Sequence, residues 1–249
     1  NYFNLNKRSI ALNLKRPEAI GLAKRLIAVS DVMIDNFAAG VIDRLGLGYD
    51  VVKAIKPDII MVSASGSGRI GPEAGTLAIA PIFSAMSGLG GLTGYPDDVP
   101  HASRGNADAI NGMTVFFSVM AALLYRKRTG QGQYIDYSSR EGLAWLIGDS
   151  LMDYILTGQV PGRRGNQDDL MAPHNCYRCQ GRDKWVSIAV SSDEEWQKLV
   201  EAMGSPAWSR EARFSAAAGR KDHEAELDKL VEAWTINHSD YQVMEILQQ

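Results

Sequence analysis

Apolar and polar residues recur along the first part of the chain at spacings that predict strands and helices in alternation. Short apolar runs, typical of buried strands, occur at residues 31–35, 58–65 and 133–138. Alternating residues at 9–14 predict a further short strand, and Pro17 is favourable in the first turn of the helix that follows. Because helical spacings separate these strands, we expect a parallel sheet covered by helices, which is an α/β fold.

Two long apolar segments predict the longest helices. The first runs from about residue 108 to residue 128 and ends in basic residues followed by glycine, which are common signals at a helix C-terminus. The second covers residues 140–158 and also ends in glycine. We interpret one stripe of large apolar residues on the first helix as its core-facing side. This stripe consists of Phe116, Phe117, Met120, Leu123 and Leu124.

A change of composition near residue 160 predicts a boundary between two domains. Residues 159–173 are polar and contain Gly and Pro, as expected for a linker. The next segment predicts a strand, a turn and a second strand, followed by amphipathic helices. We therefore predict a Rossmann-like large domain at residues 1–160, a linker at 161–174, and a small α+β domain at 175–249.

Composition limits the possible functions. The chain has 249 residues, of which 45% are hydrophobic and 22% charged, and a net charge of −3, which is ordinary for one large globular domain or two modest ones. No basic stripe is visible and no uncharged apolar run approaches the ~20 residues of a membrane span, so we expect neither a nucleic-acid partner nor a membrane. Two cysteines predict a reducing, cytoplasmic compartment. The chain opens without Met and stops within an amphipathic pattern, so we expect an internal fragment of a longer protein.

Three short motifs suggest chemistry that their surroundings do not support. Residues 66–71, GSGRIG, have the spacing of a dinucleotide-binding loop, but Pro72 follows and no convincing helix start comes next. Cys176 and Cys179 have C-x-x-C spacing, but a structural zinc needs four ligands and only His174 is nearby, so we predict no metal site. The serines of residues 63–68 lack the preceding glycine of a nucleophile elbow, which argues against a Ser-His-Asp hydrolase.

Asp108 stands among small and neutral residues at the predicted start of the first long helix. An aspartate at this position can accept hydrogen bonds from free backbone N–H groups and interact with the positive end of the helix dipole, and composition alone favours this capping role. The alternative role is that of a nucleophile. A carboxylate is ordinarily ionised at neutral pH and needs no base in order to attack an activated acyl group.

The whole chain resembles the class III CoA-transferases, the family that includes formyl-CoA transferase, crotonobetainyl-CoA:carnitine CoA-transferase and α-methylacyl-CoA racemase. The similar segments come in the family's order: NKRSIALNLKRPE, SDVMIDNFAAGVIDRLGLGYD, SASGSGRIGP, AMSGLGGLTG, KRTGQGQYIDYS and RRGN. The resemblance implies that an N-terminal segment and a longer C-terminal part lie outside this sequence.

In this family the nucleophile is an aspartate four residues before a glycine, and Asp108 with Gly112 matches that place. The resemblance therefore implies an aspartyl–acyl anhydride and then an aspartyl-CoA thioester on Asp108, with CoA as a substrate and no tightly bound cofactor. It also implies that residues 76–80 line the pantetheine channel and that Gly165 belongs to a loop near the acyl group. The implied CoA-binding residues are Leu12, Asn13, Leu14, Lys15, Asn36, Phe37, Ala38, Arg44 and Thr76.

The sequence departs from the family pattern at two places. Ala38 and Ala39 stand in the segment where the family usually has N-F-x-P-G, and Ile79 and Ala80 replace an aromatic residue or histidine followed by an acid. The racemase branch uses that histidine as an acid–base group, so its replacement argues against racemisation. The departure also puts oxalate and formate substrates in doubt.

The resemblance implies an enzyme that moves CoA between acyl-CoA and carboxylic acid substrates. It also implies an interlocked homodimer, because the members of the family assemble in this way. The alternatives are an acyl-CoA racemase or epimerase of the same family and a non-catalytic CoA-binding relative.

Overall fold

The computed structural model describes residues 4–77, 79–100 and 106–248. The chain divides into two compact units, of which the first comprises Asn1–Thr93 and Pro100–Gly162, and the second Gly94–Val99 and Arg163–Gln249. The short segment Gly94–Val99 therefore groups with residues that come much later in the chain. The domain limits inferred from the sequence, at residues 160 and 175, stay a prediction.

The first unit is built around a parallel sheet of three strands, in the order β1-β2-β3. A 3-10 turn at Trp145–Ile147 joins its last two helices. Its elements in chain order are α1 (Pro17–Ala28), β1 (Val32–Asp35), α2 (Val41–Arg44), α3 (Tyr49–Ile55), β2 (Ile60–Ser65), α4 (Ala80–Met86), α5 (Leu89–Leu92), α6 (Asn106–Thr129), β3 (Gln133–Ser138), α7 (Ser139–Ala144) and α8 (Gly148–Thr157).

The sheet is covered by helices on both faces. Met61 and Val62 of the central strand β2 are completely buried, and because successive strand residues point to opposite faces, they belong to different layers of the core. Met61 packs with buried side chains of α1, α2 and α3. Val62 packs with Val115 and Val119 of α6. This confirms the predicted α/β fold with a covered parallel sheet.

Helix α6 buries a different side from the one that we predicted. Its buried residues are Ala107, Asn111, Val115, Val119 and Ala122. Of the predicted core stripe, Leu123 packs against the buried cluster around Val62. The other four residues, Phe116, Phe117, Met120 and Leu124, are between 49% and 73% exposed, so the interpretation is wrong for them. The helix is apolar on most sides, and hydrophobic spacing then cannot tell which side faces the sheet. By length and composition α6 would also be able to cross a membrane, a property that core helices share.

Three smaller predictions also need correction. Residues 9–14 do not form a strand. An alternating segment becomes a strand only when its backbone groups pair with a neighbour, and no described strand pairs with it. The helix predicted over residues 140–158 is divided into α7, the 3-10 turn and α8, and Gly148 at the division has low helix propensity. The high glycine content of residues 88–94 favours a flexible connection, but this segment contains the short helix α5.

The second unit is an antiparallel hairpin packed with helices. The hairpin consists of β4 (His174–Arg178) and β5 (Trp185–Ala189), as the sequence predicts. Buried apolar residues of this unit, including Trp196, Phe214 and Leu227, form one core. The helices are α9 (Asp193–Ala202), α10 (Ala217–Asp222), α11 (Glu224–Thr235) and α12 (Asp240–Leu247), with 3-10 turns at Ala207–Arg210 and Ala212–Phe214.

Candidate functional site

Asp108 lies in the first turn of α6, and its side chain is exposed. Within residues 4–77, 79–100 and 106–248, its carboxylate makes no hydrogen bond and no ion pair. Helix α6 begins at Asn106, two residues before Asp108, so the aspartate lies inside the helix rather than at the capping position. Its remaining structural contribution is the interaction of a carboxylate with the positive end of the helix dipole.

The start of α6 is fixed by the packing of Ala107, the residue next to the exposed Asp108. Ala107, the residue before Asp108, is completely buried in a small cluster with Phe83 of α4 and Leu143 of α7. This contact allows little movement of the first turn, because interior side chains are close-packed. The backbone that carries the Asp108 side chain is therefore held by two other helices.

A buried hydrogen bond holds the second turn of α6 to the sheet. Tyr137 of β3 donates its hydroxyl proton to Asn111 Oδ1 over 2.7 Å. Burial raises the pKa of Tyr137, so the phenol keeps the proton that it donates. Gly142 is needed beside this pair, because a Cβ there would lie 2.0 Å from the Tyr137 hydroxyl oxygen. Asn111 was not among the residues singled out from the sequence, since one amide in an apolar helix gives no distinctive pattern.

The predicted residues Asn36, Phe37 and Ala38 follow β1 directly, at the edge of the sheet where parallel strands end. Ligands of open α/β sheets usually bind outside this edge. The turn is held by Asp35, the last residue of β1, whose Oδ1 accepts a hydrogen bond from the Phe37 N–H at 3.2 Å. Arg44 lies close to the same turn, since a Cβ on Gly40 would be 3.0 Å from Arg44 Nη1. The structure thus places Arg44 beside the loop that follows β1.

The other predicted CoA-binding residues lie in surface segments. Leu12, Asn13, Leu14 and Lys15 precede α1, and Asn13 Oδ1 accepts a hydrogen bond from the Lys15 N–H at 3.2 Å. Thr76 is exposed, and its N–H donates to the Glu73 carbonyl at 2.9 Å. No hydrogen bond or ion pair in the described parts of the chain joins these residues to Asp108. Their shared role at one site stays a prediction.

Three polar residues missed by sequence reasoning form a row across the sheet. Asp35, Ser63 and Asp136 are register partners on β1, β2 and β3. The Ser63 hydroxyl donates to Asp35 Oδ2 over 2.6 Å, and Asp136 accepts from the backbone N–H of Arg69. A polar residue near the end of each neighbouring strand was the available signal, because parallel strands end at the same edge.

The glycine-rich residues 66–71 lack the helix of a dinucleotide-binding loop. Turns follow β2, and the next helix is α4, which begins at Ala80. A dinucleotide site needs the N-terminus of a helix directly after its glycines. Arg69 of this segment is ion-paired with Asp43 and borders a cavity of about 370 Å³ beside Tyr49 and Tyr134.

The loop that contains Gly165 is held in place by hydrogen bonds within the second unit. The Asn166 amide donates to the Tyr95 hydroxyl at 2.9 Å. The Arg163 guanidinium donates to the Tyr95 carbonyl at 3.0 Å and to the Asp98 carbonyl at 2.7 Å. Any movement of this loop during turnover would have to break these bonds.

We expect Gly165→Ala to destabilise this loop. Gly165 has a φ of +62°, and an added Cβ would lie 2.6 Å from Tyr95 Cδ1, so backbone strain and a steric clash coincide. The free energy of unfolding should fall by about 1–3 kcal/mol, and amide exchange should quicken over residues 163–171. Gly162→Ala is the matched control, because nothing lies within 4 Å of its Cβ position. Equal behaviour of the two variants would contradict the expectation.

The C-x-x-C residues lie in and beside the hairpin. Cys176 Sγ is 3.2 Å from Ser187 Oγ of the paired strand, and Cys179 is buried. Burial raises the pKa of Cys179, which favours the protonated thiol.

A cavity of about 580 Å³ in the second unit is lined in part by Glu195, Lys198 and Leu199. None of the predicted site residues lines this cavity.

The described residues define an α/β protein with a covered parallel sheet and loops of polar residues at the strand ends. The whole chain, residues 1–249, matches the sequence profile of CoA-transferase family III, and it belongs to that family. This confirms the resemblance inferred from its motifs.

Relatives of known name and structure are similar over most of the chain. A succinyl-CoA–D-citramalate CoA-transferase of Chloroflexus aurantiacus is 34% identical over 94% of this chain and 58% of its own length. The beta subunit of a succinyl-CoA–L-malate CoA-transferase from the same organism is 32% identical over 96% of this chain and 60% of its own length. The crystal structure of a CAIB/BAIF family protein from Brucella suis has a TM-score of 0.88 and 31% identity, covering 97% of this chain and 64% of that one. The chain thus spans about three fifths of the length of the curated relatives it matches.

Proposed function

We propose that this protein transfers CoA between carboxylic acids, with the Asp108 carboxylate as the covalent nucleophile. The observation that supports this most directly is the state of Asp108 itself. Its side chain is exposed and has no partner among the described residues, while the helix beneath it is held by the buried Ala107 and Asn111. A carboxylate engaged in capping or in an ion pair would be less able to attack an acyl group.

The first half of the proposed reaction loads CoA onto the protein. An Asp108 oxygen attacks the thioester carbon of the donor, the carbon–sulfur bond breaks, and CoA leaves as a thiolate. The thiolate then attacks the aspartyl carbonyl of the mixed anhydride and displaces the donor acid as its carboxylate. The product is an aspartyl-CoA thioester, so the energy of the donor thioester is conserved if water is excluded.

The second half reverses these steps with a different acid. The acceptor carboxylate attacks the aspartyl-CoA carbonyl and releases the thiolate, which forms a second mixed anhydride. The thiolate attacks the acceptor's acyl carbon, and Asp108 leaves as a free carboxylate. No proton is gained or lost over the whole cycle.

We infer that the acids are small or medium dicarboxylates. The two Chloroflexus relatives are named for succinyl-CoA and for citramalate or malate, all of which derive from dicarboxylic acids. Ala80 stands where many family members carry an acid, and the loss of that negative charge reduces repulsion of a second carboxylate. Ile79, in the place of the histidine of the racemase branch, is 63% exposed and cannot transfer a proton.

Isotope exchange tests the proposed function directly. The protein is incubated with succinyl-CoA and labelled succinate, and then with malate, citramalate, glutarate and oxalate in turn. Transfer predicts that the label enters succinyl-CoA and that a new acyl-CoA forms with at least one other dicarboxylate. Exchange of the α-proton of a branched acyl-CoA without exchange of succinate would instead support the racemase, and the absence of both would support a CoA-binding protein without activity.

The exposed apolar faces of α6 and α8 support a homodimer. Helix α8 has no buried residue, and Ile155 and Leu156 are 71% and 79% exposed. Phe117 on α6 is 73% exposed. Large apolar patches of this kind usually mark interfaces, and we propose that a second copy of the protein covers them.

Sedimentation of the protein tests this assembly. We expect a dimer at micromolar concentration, and we expect Phe117→Lys to shift it toward the monomer because a charge would be buried in the interface. Leu170→Lys is the control, since Leu170 is 81% exposed but lies on neither helix. A monomeric wild-type protein, or equal dissociation of both variants, would contradict the proposal.

We also propose a reducing, cytoplasmic compartment. Both cysteines are free thiols, and the burial of Cys179 keeps it protonated. Free thiols persist where glutathione and thioredoxin keep proteins reduced.

A further inference from the structure

We propose that Arg69 acts as a positioning residue for CoA by neutralising Asp43, the acid that directly precedes the predicted phosphate-binding Arg44. This inference rests on the proposed function, because it assumes that Arg44 meets a CoA phosphate. Arg69 belongs to the glycine-rich loop at residues 66–71, for which the resemblance to the family implies no role.

The backbone of Arg69 is tied to the strand on the far side of β2. Its N–H donates to both carboxylate oxygens of Asp136, at 3.0 and 3.1 Å. One step away, the Arg140 N–H donates to the Gly66 carbonyl at 3.0 Å. The loop after β2 is therefore bound to β3 and α7 at two points. These hydrogen bonds fix the position of the Arg69 backbone.

The Arg69 side chain extends from this loop across the carboxyl ends of the strands toward α2. Its Nη1 donates to the Tyr134 hydroxyl at 3.0 Å, and its Nη2 forms the ion pair with Asp43. The guanidinium carbon lies 5.9 Å from the centre of the Tyr134 ring, and the side chain is only 15% exposed. A guanidinium held at this many points has little freedom to serve a different partner.

The ion pair determines which charge faces a ligand at α2. Asp43 and Arg44 are neighbours on this short helix, and Asp43 is packed so closely on Gly48 that a Cβ there would lie 2.2 Å from Asp43 Oδ1. Arg44 makes no ion pair with an acid in the described ranges. Arg69 thus satisfies Asp43 and leaves Arg44 available for a phosphate. Without Arg69, an uncompensated carboxylate would stand beside that phosphate and repel it.

Arg126 provides a matched control at the opposite end of the same sheet. Its guanidinium pairs with Asp31 at 2.9 Å and with Asp58 at 3.7 Å, and its side chain is 16% exposed. Asp31 directly precedes β1 and Asp58 lies two residues before β2, so this cluster lies at the amino ends of the two strands. Loss of either arginine removes a similar ion pair, but only Arg69 lies at the edge where Arg44 is found.

The test is calorimetric titration of the protein with CoA itself. Arg69→Met should raise the Kd for CoA about tenfold, the cost of one uncompensated charge near the phosphate. Arg126→Met should leave the Kd unchanged although it also lowers stability. Adding Asp43→Asn to Arg69→Met should bring the Kd back to within about threefold of the wild type, because the repelling charge is gone.

The outcomes separate this inference from the proposed function. A wild-type protein that does not bind CoA overturns both, and one that binds CoA without transferring it overturns only the proposed function. Equal Kd values for the two arginine variants, or a failure of Asp43→Asn to restore binding, overturn the inference. If Arg69→Met does not fold, the single variant Asp43→Asn tests the inference. This variant should bind CoA at least as tightly as the wild type. Clearly weaker binding would contradict the role of Arg69.

Discussion

Asp108→Ala is expected to lower the rate of CoA transfer by about 10⁴-fold or more, since removing a covalent nucleophile eliminates the reaction path rather than weakening one contact. The fold should tolerate the change. Alanine has the highest helix propensity, and among the described residues Asp108 makes no bond that would be lost, so the expected cost is that of the helix-dipole interaction, about 0.3–1 kcal/mol. CoA should still bind, because the residues proposed to contact it lie elsewhere. Initial rates and calorimetric CoA binding measure the two effects separately.

Asp50→Ala is the control for this prediction. Asp50 is likewise an exposed aspartate in the first turn of a helix, α3, so its replacement removes the same dipole interaction. Transfer should continue at close to the wild-type rate. If Asp50→Ala and Asp108→Ala reduced the rate equally, the effect would be one of helix stability and not of nucleophilic catalysis.

The second large effect is expected for Arg220→Met in the second unit. The Arg220 side chain is completely buried, and its Nε and Nη2 donate to the Ala172 carbonyl and to Asp193 Oδ1, both at 2.8 Å. It also donates to the Phe214 carbonyl at 3.3 Å. Methionine fills much of the space but satisfies none of these acceptors. We expect the free energy of unfolding to fall by about 2–4 kcal/mol, mostly from the two carbonyls, because the exposed Asp193 can regain water.

Urea unfolding followed by tryptophan fluorescence measures this loss. Trp196 lies 5.2 Å from the Arg220 guanidinium, so its emission reports on the affected core. Arg213→Met is the control, since Arg213 pairs with Glu211 and Glu226 at a more exposed position and should change stability by less than about 1 kcal/mol. A loss at Arg220 no larger than that at Arg213 would show that the buried hydrogen bonds contribute little.

The sequence was sufficient for the architecture where local and long-range signals agreed. In the apolar run at residues 58–65, strand β2 (Ile60–Ser65) is buried on both faces, which is typical of a parallel strand covered by helices. The hairpin of β4 and β5 was also predictable, because turn residues separate two short strands. Residues 9–14 show the limit of this reasoning. Their alternation is genuine, but a strand requires a partner that the pattern itself cannot supply.

The candidate site was predictable only in part. Asp108 was found because a motif placed it at a helix start. The buried face of α6 was not predicted correctly, because the helix carries large apolar residues on most of its sides. The row of Asp35, Ser63 and Asp136 depends on strand register, and the pairing of Arg69 with Asp43 depends on a loop that returns across the sheet. A polar residue near the end of each strand is visible in the sequence, but the register that aligns the three residues and the loop that brings Arg69 to Asp43 are not.

The central claim is that CoA becomes covalently attached to the Asp108 carboxyl group. The most direct measurement is mass spectrometry of the peptide that contains Asp108 after the protein has been incubated with succinyl-CoA and treated with borohydride or hydroxylamine. We predict that Asp108 is converted to the corresponding alcohol or hydroxamate, and that neither product forms without succinyl-CoA. An unmodified Asp108 in a protein that is transferring CoA, or a modification found on another residue, would contradict the account.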